Sequence, residues 1–173
     1  MVSDMKFKEV YGNGKGDYSL GPFFMSDIRK MGNIIADERH DLSRDDGIKD
    51  YRVYITSRVR SQDTIFFACR RVKKVVAYSS FDPISYGGIA LIHCITKPNI
   101  EPGDFEALVQ LQIKYGFEEM ELTKITGTPT LDNKPAVGIL EKLGFEQEGI
   151  LKRHRIIDGK AYDVSIQSLW KEG

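Results

Sequence analysis

Apolar residues recur at steps of three and four at Met25, Ile28, Met31 and Ile35, with Ser26 or Asp27 placed to cap the helix they predict. A weaker pattern of the same period predicts a second helix over residues 48–59. The period then becomes that of strands. Residues 64–70, 74–80 and 88–96 are rich in Ile, Val, Phe and Tyr. Arg71-Val72-Lys73 and the stretch from Asp82-Pro83 to Gly87 supply the breaks. Three strands joined this closely predict an antiparallel meander. Helical spacing returns at Phe105, Leu108, Leu111 and Tyr115, widened by Val109, Ile113 and Phe117, with Asp104 as the cap. Such a broad stripe suits a helix laid on a sheet. Residues 124–128 read as a short strand. Residues 134–143 carry the clearest helix signature: Asp132 or Asn133 as cap, Pro135 in the first turn and Gly144 at a left-handed stop. A strand over 145–157, a hairpin turn at Asp158-Gly159 and a strand over 162–169 complete the chain.

This order predicts an α/β fold with a mixed, mostly antiparallel sheet flanked by helices. At 173 residues, without internal repeats or low-complexity segments, residues 1–173 read as a single domain. Lys and Arg together number 25, as do Asp and Glu, so the net charge is zero. That balance argues against a dedicated nucleic-acid binder. No apolar run reaches the ~18 residues of a membrane span, and the first residues do not read as a signal peptide. The cytoplasm is the compartment these features imply.

Candidate chemistry is sparse. Cys69 and Cys94 sit inside apolar runs and read as reduced core thiols. His40, His93 and His154 lack metal-ligand spacing, so no metal is predicted. The glycine-dense stretch Gly12-Asn13-Gly14-Lys15-Gly16-Asp17 could cradle phosphate but lacks a following helix start, and a flexible turn is the simpler reading. Lys152-Arg153-His154-Arg155 is the one basic run. Strand alternation divides it between two faces, which suits a solvated hairpin better than an anion-binding patch.

Asn133-x-x-Ala136, Leu140-Glu141-Lys142-Leu143-Gly144-Phe145, Glu148-Gly149 and Asp163 together resemble the GNAT superfamily of N-acetyltransferases. The nearest branch acetylates ribosomal-protein N-termini. Tyr115-Gly116-Phe117-Glu118 and the stretch 20–38 are also similar to that family. The resemblance implies an acetyl-CoA-dependent N-acyltransferase acting on an amine of a protein or small molecule. It implies a cofactor arm lying between two splayed strands, with Ile95, Thr96, Lys97, Gly103 and Asn133 as cofactor-binding positions and His93 as the base. A histidine packed in the sheet with its N–H satisfied, and an Asn133 serving as a helix cap, remain the alternatives.

Two positions depart from the family pattern. Its pyrophosphate loop reads Gln/Arg-x-x-Gly-x-Gly/Ala, whereas Ile100 and Pro102 stand roughly where the glycines belong. Pro98 and Pro102 have no N–H to donate, and Glu101, Asp104 and Glu106 crowd a helix start that would otherwise favour phosphate. Leu140 also replaces the tyrosine that serves many relatives as an acid. These departures raise an alternative function: a degenerate GNAT-fold protein with a structural or interaction role, for example in a phage particle or complex. Whether a second copy or another assembly partner binds stays open.

Overall fold

The computed structural model describes residues 11–12, 18–35, 48–72, 74–97 and 100–172. Most of the glycine-dense stretch, together with Pro98 and Asn99 of the expected pyrophosphate loop, lies outside the described residues. Strands β1 (Tyr11–Gly12) and β2 (Tyr18–Pro22) precede helices α1 (Met25–Ile35) and α2 (Tyr51–Val59). The meander follows as β3 (Ile65–Arg71), β4 (Lys74–Ile84) and β5 (Ile89–Thr96). Then come α3 (Pro102–Glu118), β6 (Lys124–Gly127), α4 (Lys134–Lys142), β7 (Glu146–Ile157) and β8 (Lys160–Trp170).

The described strands form one eight-stranded sheet in the order β1-β2-β3-β4-β5-β6-β8-β7. Every pairing is antiparallel except that of β5 with β6. The mixed, mostly antiparallel sheet is therefore as the residue pattern predicts.

Strand alternation sends two sets of side chains to opposite faces. Phe67, Cys69, Ala77, Phe81 and Ile92 pack with Leu108, Leu111 and Tyr115 of α3 and Leu140 of α4. Ala68 and Tyr78 pack with Ile28, Met31 and Ile35 of α1 and Ile55 of α2. The result is a three-layer sandwich.

Local chemistry sets the ends of the helices. Asp50 accepts from the N–H groups of Arg52 (2.9 Å) and Val53 (3.3 Å), so α2 starts later than its apolar pattern suggests. In α1 the Asp27 carboxylate reaches back to the Phe24 N–H at 3.0 Å from inside the first turn. Asp104 is not the cap of α3. Glu101 holds that position without a side-chain hydrogen bond. Asp104 is buried and accepts from Tyr18 Oη at 2.6 Å and Arg71 Nη1 at 3.1 Å. At α4 the expectation holds: Asn133 Oδ1 accepts from the Ala136 N–H at 3.2 Å, and Gly144 stops the chain at φ 88°.

Two strands differ from the periodic reading. Asp82-Pro83 does not end β4, which runs on to Ile84 through a register shift between Phe81 and Ile84. In β7 a bulge between Leu151 and Arg155, with Arg153 at φ 51°, breaks the alternation expected for the basic run. Lys152 Nζ and the Arg153 N–H both donate to the Asp163 carboxylate, at 2.9 and 2.8 Å.

Candidate active site

β5 and β6 run side by side through Ile89–Lys124, Ala90–Ile125 and Leu91–Thr126 and then part. β5 continues to Thr96 on the arm of β4, while β6 ends at Gly127 and the chain turns toward α4. The split opens a cleft of about 330 Å³. Its β5 side presents His93 and Ile95, with Tyr51 and Tyr54 contributed by α2. Its other side is made of Gly127, Thr128, Pro129, Asn133 and Ala136. Arg155 borders it from β7 and donates to the Thr128 carbonyl at 3.3 Å.

Gly127 lets α4 sit close to the end of β6. A Cβ there would lie 2.7 Å from Leu140 Cδ1. The following segment is held by its backbone: Leu131 N–H donates to Asp163 O and Ser165 N–H to Pro129 O, each at 2.9 Å.

His93 is half-buried, and its Nε2 lies 3.0 Å from the backbone carbonyl oxygen of Asp82. Burial pushes its pKa below the ordinary histidine value; the Asp82 carbonyl and carboxylate oppose this, while the Arg155 and Arg58 charges reinforce it. The ring is thus held neutral near pH 7. One ring nitrogen is satisfied inside the protein, and the ring also lines the cleft.

Behind His93 stands a charged cluster. Arg58 Nε donates to Asp82 Oδ2 at 3.0 Å, and Arg58 Nη2 donates to Asp82 Oδ1. The same Nη2 reaches Asp63 Oδ1 at 3.2 Å and Thr64 Oγ1 at 3.0 Å. Thr64 Oγ1 donates to Asp82 Oδ1 at 3.1 Å. The Asp82 side chain is only 7% exposed, and these partners take the place of water around its carboxylate.

Of the six site positions taken from sequence, His93, Ile95 and Asn133 meet at the cleft. Thr96 ends β5 opposite Ala77. Lys97 is exposed and its N–H donates to Val76 O at 3.2 Å. Gly103, in the first turn of α3, faces open space. Two of the three acids at this helix start are neutralised locally, Asp104 by Arg71 and Glu106 by Lys142 at 2.7 Å; Glu101 is exposed. Arg58 and Asp82 are not marked as site residues by the sequence, and Arg155 stands out there only as part of the basic run. Asp82 read as a turn residue, and nothing in the polar pattern of α2 distinguishes Arg58 from its exposed neighbours.

Cys94 also lines the cleft, but burial raises its thiol pKa well above the usual value. Cys69 is pushed up to about 12 for the same reason. Both are free thiols. No cluster of potential metal ligands occurs among the described residues, and none of their helices is long and apolar enough to cross a membrane.

No family model matches the chain. Two curated proteins match locally. The uncharacterized N-acetyltransferase YoaA of Bacillus subtilis (strain 168) is 32% identical over 59 residues, 34% of this chain and 33% of that protein. The uncharacterized N-acetyltransferase p20 of Bacillus licheniformis is 35% identical over 63 residues, 36% of this chain and 35% of that protein. The chain spans about a third of the length of the curated relatives it matches.

Solved structures match over nearly the whole chain. The ribosomal L7/L12 alpha-N-protein acetyltransferase RimL in complex with coenzyme A superposes with a TM-score of 0.79 at 12% identity, covering 94% of this chain and 98% of that one. Mycobacterium smegmatis RimJ in complex with CoA-disulfide gives 0.76 at 20% identity, covering 94% and 84%. The spermidine/spermine N-acetyltransferase SpeG of Vibrio cholerae, in mutant form, gives 0.76 at 19% identity, covering 89% and 94%. The chain has the GNAT fold of these N-acetyltransferases.

Proposed function

We propose that the chain is an N-acetyltransferase that moves an acetyl group from acetyl-CoA to an amine of a protein or small molecule. The observation that carries this reading is the parting of β5 from β6 after Leu91 and Thr126, with a neutral histidine on one lip and a capped helix start on the other. Among the described residues, no strand pairs with the cleft side of β5 beyond Leu91, so its outward peptide groups are open to an extended, amide-bearing arm. That suits the pantetheine portion of acetyl-CoA. The local pairing of Asp104 and Glu106 supports the fit at the diphosphate end, and the open space at Gly103 adds to it. Ile95, Thr96, Lys97, Gly103 and Asn133 are the positions that would hold the cofactor. Bound there, acetyl-CoA supplies the activated acyl group.

The chain's own part is proton handling. A primary amine is protonated near pH 7 and must lose a proton to attack a carbonyl carbon. Once that proton has gone to solvent the free amine attacks, and neutral His93 accepts the second proton, which the nitrogen sheds as the N–C bond forms and the C–S bond breaks, with CoA leaving as the thiolate. The named activities of RimL on a protein N-terminus and of SpeG on spermidine support an amine as the acceptor.

Ile100 and Pro102, in place of loop glycines, favour a second reading: a non-catalytic protein of the same fold that serves as an interaction partner. Thermal unfolding with and without acetyl-CoA separates the two. Ligand at ~100 times its dissociation constant adds ~2.7 kcal/mol of stability. An upward shift together with acetyl-CoA-dependent release of free thiol in the presence of amines supports transfer. No shift at millimolar acetyl-CoA overturns it.

A further inference from the structure

We propose that Arg58 is the positioning residue of the cleft: its two-nitrogen grip on the Asp82 carboxylate fixes the backbone carbonyl that decides which ring nitrogen of His93 carries the proton. The inference rests on the reading of His93 as proton acceptor.

A carbonyl oxygen has no hydrogen to give. The 3.0 Å contact between Asp82 O and His93 Nε2 is therefore a hydrogen bond only when Nε2 bears the hydrogen. In the neutral ring the lone pair then belongs to Nδ1, and Nδ1 is the atom that takes a proton. This tautomer is fixed only as firmly as the carbonyl that selects it.

The backbone is held beyond Pro83, where the Ile84 N–H donates to Asp63 O at 2.7 Å, but not at Asp82 itself. Asp82 has no register partner on either neighbour: β3 pairs with β4 as far as Phe81, and β5 skips from Phe81 to Ile84. The next residue, Pro83, has no N–H with which to resume the ladder. What anchors Asp82 is its side chain, held by Arg58 Nε at 3.0 Å, by Arg58 Nη2 and by Thr64 Oγ1 at 3.1 Å. Arg58 stands in the last turn of α2 and also holds Asp63 and Thr64 ahead of β3. One guanidinium thus ties α2 to both strands behind the histidine. The contact uses two nitrogens on two carboxylate oxygens, which a lysine ammonium does not reproduce. Among the described residues, the other titratable groups lining the cleft are Arg155 from β7, Tyr51 and Tyr54 from α2, and Cys94 beside His93 on β5.

The test reads the imidazole directly, by long-range 1H–15N correlation NMR of the full chain, with turnover measured alongside. Wild type is expected to show one tautomer with hydrogen on Nε2. Arg58→Lys and Asp82→Asn, which keep polar groups at both places, are expected to show a mixture of tautomers. Both are also expected to lose about 10²-fold in kcat with KM for acetyl-CoA within about twofold, the scale of a misplaced reacting group. A wild-type ring protonated on Nδ1, or a single Nε2–H tautomer persisting in both variants, overturns the proposal. A variant that lowers thermal stability while leaving the tautomer unchanged also counts against it, since that is merely structural support. His93→Gln separates this from the parent reading. Full turnover there removes the proton-acceptor role and with it the catalytic use of the clamp. A tautomer indifferent to Arg58 overturns the clamp even where His93 proves essential.

Discussion

The two walls of the cleft are built on different principles. The β4–β5–α2 wall is electrostatic: an imidazole, a guanidinium and a buried carboxylate are held by side-chain contacts between elements far apart in sequence. The β6–α4 wall is made of backbone and small residues: Gly127, Thr128, Pro129 and Ala136, pinned to β8 by main-chain hydrogen bonds. One wall carries an imidazole and a buried carboxylate at the cleft. The other presents no titratable side chain among its described lining residues. Damage to the first wall should appear in chemistry and ionisation, and damage to the second in packing and binding.

The largest effect tests the first wall. His93→Gln is expected to lower the kcat of acetyl transfer by about 10²–10⁴-fold, the usual range for a positioned base, with little change in melting temperature. Next comes Arg58→Ala, which leaves the nearly buried Asp82 charge without its main partner. It should cost about 3 kcal/mol in urea unfolding, near the lower end for breaking a buried pair because Arg58 is 26% exposed. Equal midpoints for wild type and variant would show that water replaces the guanidinium at no cost.

On the second wall, Gly127→Val forces a side chain into Leu140 and should destabilise by about 1–3 kcal/mol. Adding Leu140→Ala should recover part of that loss, so additive effects in the double variant would remove the steric account. Asn133→Ala should cost about 1 kcal/mol through the lost cap. Asn133→Asp keeps the cap. If Asn133 also touches the cofactor, both variants raise KM for acetyl-CoA, whereas a pure cap role leaves Asn133→Asp at the wild-type KM.

The smallest effect sharpens the contrast in ionisation. Burial lowers the folded pKa of His93 below the unfolded value of about 6.5. Between those two values the unfolded chain binds a proton that the folded chain refuses. The stabilisation is complete above about pH 6.5 and drains away as pH falls toward the folded pKa. His93→Gln should flatten that limb of the stability profile. Urea midpoints at pH 7.5 and 5.5 check it, and an unchanged slope would place the acid sensitivity elsewhere.

The sequence is read unevenly along these two walls. The β6–α4 side was legible because its determinants are local: Asn133, Pro135 and Gly144 punctuate one helix, and their spacing is the signal. His93 was visible through the resemblance and its place in an apolar strand. The clamp was not, because Arg58 and Asp82 are 24 residues apart and meet only after α2 folds over the sheet. Asp104 was misread for the same reason. An acid at a helix start looks like a cap until Tyr18, 86 residues earlier, and Arg71 claim it. The basic run failed through a bulge, which shifts the face of each later side chain without leaving a mark in the alternation.

The unpaired margin of β5 has a consequence for inheritance. Peptide groups are the same whatever side chains they carry, so a ligand read by that margin places little demand on which amino acids compose it. Selection can then retain the parting of two strands while the letters along them drift. This chain and RimL share a fold over 94% of this chain at 12% identity.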